Sequence, residues 1–148
     1  MLNRFACALA LSGAGLCAAE VRVRLQDLPL AVQNTIRQET KDSKIRGFSK
    51  EIENGKTFYE AETITTGGQS RDILMDPAGT VVEVEQEIAL DSVAEPAQKA
   101  LRSAAGTGKI LKVEAVTRGA IVSYEAVVRK GGKKTEVAVS ADGTLRNE

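Results

Sequence analysis

A recurrence constrains this chain more than any other feature. The stretch GKTFYEAETITTGG (55–68) is echoed by GAIVSYEAVVRKGG (119–132), and the chain's two tyrosines fall inside these two stretches. Turn signals recur at a fixed distance. Asn54-Gly55 matches Arg118-Gly119, Gly67-Gly68 matches Gly131-Gly132, and Gly79-Thr80 matches Gly143-Thr144, each 64 positions apart. The Tyr-Glu-Ala triplets at 59–61 and 124–126 are 65 apart, which one extra residue after Gly119 and one fewer before Gly131 reconciles. Glycines alone are weak signals, because turns everywhere use them. Their shared order with Tyr-Glu-Ala reads as an internal duplication, 25–87 and 88–148.

Each copy opens on a helical pattern. In DLPLAVQNTIRQE (27–39), Leu28, Val32 and Ile36 lie four apart on one face. Asp27 is a candidate cap, and Pro29 is tolerated in the first turn. In DSVAEPAQKALRSAAG (91–106), Val93, Ala97, Leu101 and Ala104 share a face. Ser92 and Glu95 have capping-box spacing, and Gly106 is a plausible stop.

Short strand-like runs follow, at 45–53, 57–65, 70–76 and 80–88, then at 109–117, 121–130, 133–140 and 143–146. Asn54-Gly55 suits a type I′ hairpin turn, whose central residues both need positive φ. The expected fold class is therefore α+β: two tandem repeats, each one helix packed on a four-stranded antiparallel meander sheet. Alternation within TVVEVEQEI sends Val82, Val84 and Ile88 to one side and Glu83, Glu85 and Glu87 to the other. The uncovered side of such a sheet is solvated or used for contact.

The N-terminus reads as an export signal over 1–19: Arg4, then an apolar run from Phe5 to Leu16, then small residues before a cut after Ala19. That run is shorter than the roughly 20 residues a membrane-crossing helix needs. Export implies a periplasmic or secreted protein, with no stable membrane insertion after cleavage. Cys7 and Cys17 both lie in this segment, so the mature chain has no disulfide or thiol. Lipid attachment at Cys17 is the competing reading of the segment; Leu16 before it is a poor match.

Composition narrows function. Lysine plus arginine equals aspartate plus glutamate at 20 each, so no net charge draws the chain to nucleic acid. Histidine is absent and aromatic residues make up only 3%, which removes the usual general base and leaves few stacking surfaces.

The Leu-Pro helix, the hairpin into YEA, the glycine turn, the strand ends DPAG and SADG, and the repetition of the unit together resemble the PepSY-like domains. That group includes the β-lactamase-inhibitor-like tandem repeats. The resemblance covers about 25–148 and implies an extracytoplasmic module. Some relatives restrain peptidases, and the inhibitors grip an enzyme with a concave sheet. The chain lacks the aromatic-rich surface that tight binders use as anchors, so inhibition of a β-lactamase is not expected.

The expected role is a non-catalytic module binding a protein or peptide, with Tyr59, Glu60, Tyr124 and Glu125 as candidate partner-binding residues. Tyrosine and glutamate adjacent on a strand face opposite sides, so the bland reading makes the tyrosines packing residues at the helix–sheet boundary. No catalytic, cofactor-binding or metal-ligating residue is assigned, and no cofactor is expected. Glu83, Glu85 and Glu87 read as a solvated stripe, because alternate strand residues are roughly 7 Å apart, too far to share one ion. Asp76 and Asp142 read as turn residues, and RKGGKK (129–134) as a basic hairpin tip. The alternatives are a small-ligand or metal-ion sensor, or a small envelope enzyme using carboxylates such as Glu60 and Glu125.

Overall fold

The structure, a computed structural model, describes residues 20–146. The segment read as an export signal lies outside the described residues. The elements run β1 (Val21–Val23), α1 (Leu30–Glu39), β2 (Ser43–Glu53), β3 (Lys56–Thr65), β4 (Ser70–Met75) and β5 (Val81–Glu87). They continue with α2 (Glu95–Ala105), β6 (Lys109–Arg118), β7 (Ile121–Lys130), β8 (Lys133–Ser140) and β9 (Leu145–Arg146). A short 3-10 turn precedes each helix, at Leu25–Asp27 and Leu90–Ser92.

All nine strands join one antiparallel sheet in chain order. This overturns the expected α+β arrangement of two tandem repeats, each a helix on its own four-stranded sheet. The described residues form mostly one nine-stranded sheet with two helices. The joint is the pairing of β5 with β6, from Val84 opposite Thr117 to Glu87 opposite Glu114. Two separate sheets would each leave an edge of unpaired N–H and C=O groups here, and joining them removes both edges. At the start of the sheet, β1 pairs with β2, Val21 opposite Lys50 and Val23 opposite Phe48.

Local chemistry explains the turns better than the helix starts. Asn54 and Gly55 both have positive φ, 49° and 75°, as a type I′ hairpin requires. Gly106 ends α2 with φ 54°, its N–H reaching the carbonyls of Arg102 and Ser103. The expected side-chain caps are absent. Pro29 and Ala94 occupy the N-cap positions with no side-chain cap bond. Asp27 sits instead in the preceding 3-10 turn, where it accepts a 2.8 Å bond from Arg24 Nε.

Both helices cover the same side of the sheet. Leu28, Val32 and Ile36 pack with Ala61, Ile73 and Met75. Val93, Ala97, Leu101 and Ala105 pack with Val113, Ala126, Val128 and Val139. The tight turns after β4 and β8 dock on these helices. A Cβ on Gly79 would lie 2.7 Å from the Ala31 carbonyl oxygen, and one on Gly143 would lie 2.6 Å from that of Pro96. No helix among the described residues is long and apolar enough to cross a membrane.

Candidate functional site

Strand alternation sends every second side chain to the side without helices, and the register lines these up in rungs. One rung runs Arg22, Ser49, Glu60, Leu74 and Glu83. The next runs Glu62, Asp72, Glu85, Val116 and Ser123. A third carries Glu87, Glu114 and Glu125. Carboxylates from both halves of the chain thus meet on one face across the β5–β6 joint.

No described helix lies on this face, yet its side chains are not open to solvent. Glu60 is 6% exposed, Glu83 6%, Glu114 7% and Glu125 4%. Register irregularities at Ile45/Gly47, Leu74/Met75 and Ile110/Lys112 interrupt the ladder, and bulges of this kind bend a strand and sharpen its twist.

Crowding of like charge in a poorly solvated place disfavours ionisation. Burial first, then the charges of Asp72 and Glu51, pushes Glu60 up to about 8, against a partly offsetting hydrogen bond from Ser49. Burial, with Glu20, Glu53 and Glu83 nearby, pushes Glu51 up to about 7. Glu85 is held far above the usual carboxylate range by burial, then by Glu114 and a hydrogen bond with Glu83.

Four cations on this face are engaged. Arg22 binds Glu62 at 2.7 Å, Lys112 pairs with Glu114, and Arg118 pairs with Glu83. Arg146 donates to Ser123 Oγ at 3.0 Å. Carboxylate oxygens of Asp72, Glu85 and Glu114 lie within 4.8 Å of one another, as do those of Glu20, Glu60 and Glu62. Either group could hold a hard cation, although surrounding cations already neutralise part of each.

The four residues singled out from the sequence divide between the two sides. Tyr59 and Tyr124 pack against the two apolar clusters beneath the helices. Glu60 and Glu125 stand on the helix-free face, buried. Three strands separate β3 from β7, so these glutamates are not cross-strand neighbours. Ser49 Oγ donates to Glu60 at 3.1 Å.

The glutamates of β5 do not form a solvated stripe. Glu83 is buried, and β4 and β6 bring Asp72 and Glu114 to Glu85. Glu51, Asp72 and Glu114 were missed as site residues. Their alternation is readable in SKEIE and in KVEAV, but their meeting depends on the joint. Asp76 serves its turn, accepting from the N–H groups of Ala78 and Thr80 at 2.9 Å. Asp142 accepts from Thr144 N–H at 2.9 Å. The hairpin tip at 129–134 is exposed throughout.

No protein-family model matches the chain, and no curated protein does. Solved structures do share its fold. A protein of Bacteroides eggerthii described as periplasmic aligns at TM-score 0.66 and 16% identity, over 81% of this chain and 86% of its own. A DUF2874 family protein of Bacteroides ovatus aligns at TM-score 0.61 and 18% identity, over 81% and 85%. A BLIP-like protein of Bacteroides fragilis aligns at TM-score 0.59 and 16% identity, over 81% and 84%. At these identities the likeness is one of fold.

Proposed function

We propose that this chain is a periplasmic, non-catalytic binding module of the PepSY-like kind, whose helix-free sheet face receives a protein or peptide partner. In that role it restrains an envelope or secreted enzyme such as a peptidase. One observation carries the reading. Both helices cover one side of the sheet, while the other gathers enclosed polar side chains from both halves with no described element over them. The export-like N-terminus, and fold neighbours described as periplasmic, support the compartment. A chain without histidine, and with no cysteine beyond Cys17, supports binding over catalysis.

Site-specific photo-crosslinkers test this. Placed at Leu74 and Val127 on the helix-free face, they should capture a defined partner in the native envelope; placed at Leu30 and Lys99 on the helix side, they should not. Capture only from the helix side, or none at all, would remove the reading.

A second reading, a metal-ion or small-ligand sensor, draws on the carboxylate oxygens of Asp72, Glu85 and Glu114 lying within 4.8 Å of one another. It predicts a melting temperature that rises with one of calcium, magnesium, manganese or zinc. An unchanged temperature across that panel would eliminate the ion version.

A further inference from the structure

We propose that the helix-free face binds a lysine- or arginine-rich segment of a partner protein, with its cationic heads among Glu51, Glu60 and Glu85. This rests on the reading above and names the chemistry of the partner.

Charge is the first argument. The chain balances at 20 basic and 20 acidic residues, so an acidic face means segregated charge. Among the described residues, Arg22, Lys112, Arg118 and Arg146 on that face already hold Glu62, Glu114, Glu83 and Ser123. Glu60 accepts from the Ser49 hydroxyl and shares the field of Arg22, which already binds Glu62, and Glu85 bonds to another carboxyl group, Glu83.

A second observation is independent of the clustering. Glu51 is 7% exposed, yet its electrostatic neighbours are the acidic Glu20, Glu53 and Glu83. It faces the same side as Glu60, since Ser49 lies opposite Glu60 and Glu51 opposite Phe58. Beside it, one carboxylate oxygen of Glu53 is inaccessible and has no hydrogen-bond partner among the described residues. A buried polar group without a partner is costly. An incoming N–H donor would supply the missing bond, and a cation would supply the missing charge.

Size and texture favour a polypeptide segment over a single ion. Strands lie about 4.8 Å apart, so the carboxylates from β2 to β7 span roughly 24 Å of sheet. One cation reaches ligands at only about 2.4 Å. An apolar group sits between acids where Leu74 separates Glu60 from Glu83, and Val116 follows Glu85 on the next rung. Lysine and arginine match that alternation, with apolar stems that lie along such groups and charged heads beyond them.

The test is calorimetric titration of the protein with a short lysine-rich peptide and a glutamate-rich peptide of equal length. At about pH 9, where Glu51 and Glu60 are ionised in the free protein, the lysine-rich peptide should bind at low salt (about 20 mM) and weaken at least tenfold at about 500 mM, where screening acts within a few ångströms. The glutamate-rich peptide should not bind. The combined variant Glu51→Gln, Glu60→Gln and Glu85→Gln should lose about tenfold or more in affinity. Amide shifts on the unmodified protein, which need no variant, should fall on β2 to β6.

Equal affinity for both peptides, no binding of either, or shifts confined to the helices would overturn the proposal. So would tighter binding of calcium chloride than of the peptide, which makes the face an ion site. Salt-sensitive self-association, lost in Lys133→Gln with Lys134→Gln, would overturn it in favour of a second copy's hairpin tip. Crosslinking of a partner through Leu74 without any lysine-peptide binding would end this proposal and leave the face as a docking site. Failure of both removes the docking site as well.

Discussion

At the scale of single residues, Glu60 ties stability to pH in a direction that can be worked out. Its carboxyl titrates near 8 in the folded protein against an ordinary 4.5, chiefly because it is buried. The folded state therefore holds the proton more tightly than the unfolded chain does. That contribution is fully present below about pH 4.5, declines above it, and is gone once pH passes about 8. Glu51 acts in the same direction up to about 7. At about 1.4 kcal/mol per pKa unit, Glu60 alone is an effect on the order of a few kcal/mol. Melting should therefore fall by several degrees from pH 5 to pH 8, and Glu60→Gln, neutral at both, should reduce the fall. An equal slope in the variant would show that the carboxyl is not responsible.

Two glycines make a second residue-scale prediction. Gly79 and Gly143 have φ of 82° and 87° and face the helix carbonyls of Ala31 and Pro96 at under 3 Å from a would-be Cβ. Thr35 Oγ1 also donates to the Gly79 carbonyl at 2.7 Å, tying the turn to α1. Alanine at either position meets both a left-handed backbone and rigid backbone atoms, so each variant should lose about 2 kcal/mol or more, read by urea unfolding. Gly55, with φ 75° and open space around it, should lose less on the same change.

At the scale of elements, the joint is decisive. Pairing of Val84–Glu87 with Glu114–Thr117 places α2 in the connection between two neighbouring antiparallel strands. Hydrogen exchange should protect alternate amides of these two segments about as well as those of β3 and β7. Fast exchange there, with slow exchange on both sides, would describe two sheets in contact and contradict a continuous ladder. The joint also explains why Glu85 and Glu114 meet, which no single hairpin could achieve. Strand alternation in TVVEVEQEI made the orientation of Glu83, Glu85 and Glu87 legible. Their burial was not legible, because enclosure depends on the strands next to them. Helix positions were likewise readable from Leu28, Val32 and Ile36, whereas Asp27 and Ser92 were misread as caps. Those two residues fall in 3-10 turns, and a capping motif does not show in sequence whether one turn of a different helix comes first.

At the scale of the molecule, two apolar clusters share one sheet, so neither half is free to unfold without exposing the edge of the other. A cavity made in one should be felt in both. Ile36→Ala and Leu101→Ala remove side chains at 1% and 0% exposure and should each cost about 2–5 kcal/mol. Unfolding should remain one transition, seen together by probes in both halves. Two separated transitions would break the single-sheet picture.

Local sequence is enough to set the order and span of most strands, the two helices and the turns between them. Those follow from local periodicity and from glycines at positive φ. It also determined which residues share a face, since a strand allows only two. The tyrosines of YEA therefore go to one side and the glutamates to the other. That the strands form one sheet, and that the carboxylates of 49–53, 60–62, 72, 83–87, 114 and 125 line one face of it, follows from long-range pairing alone. Pairings such as that of β5 with β6 are contacts between residues distant along the chain. No local pattern encodes the solvent and charge environment those contacts create.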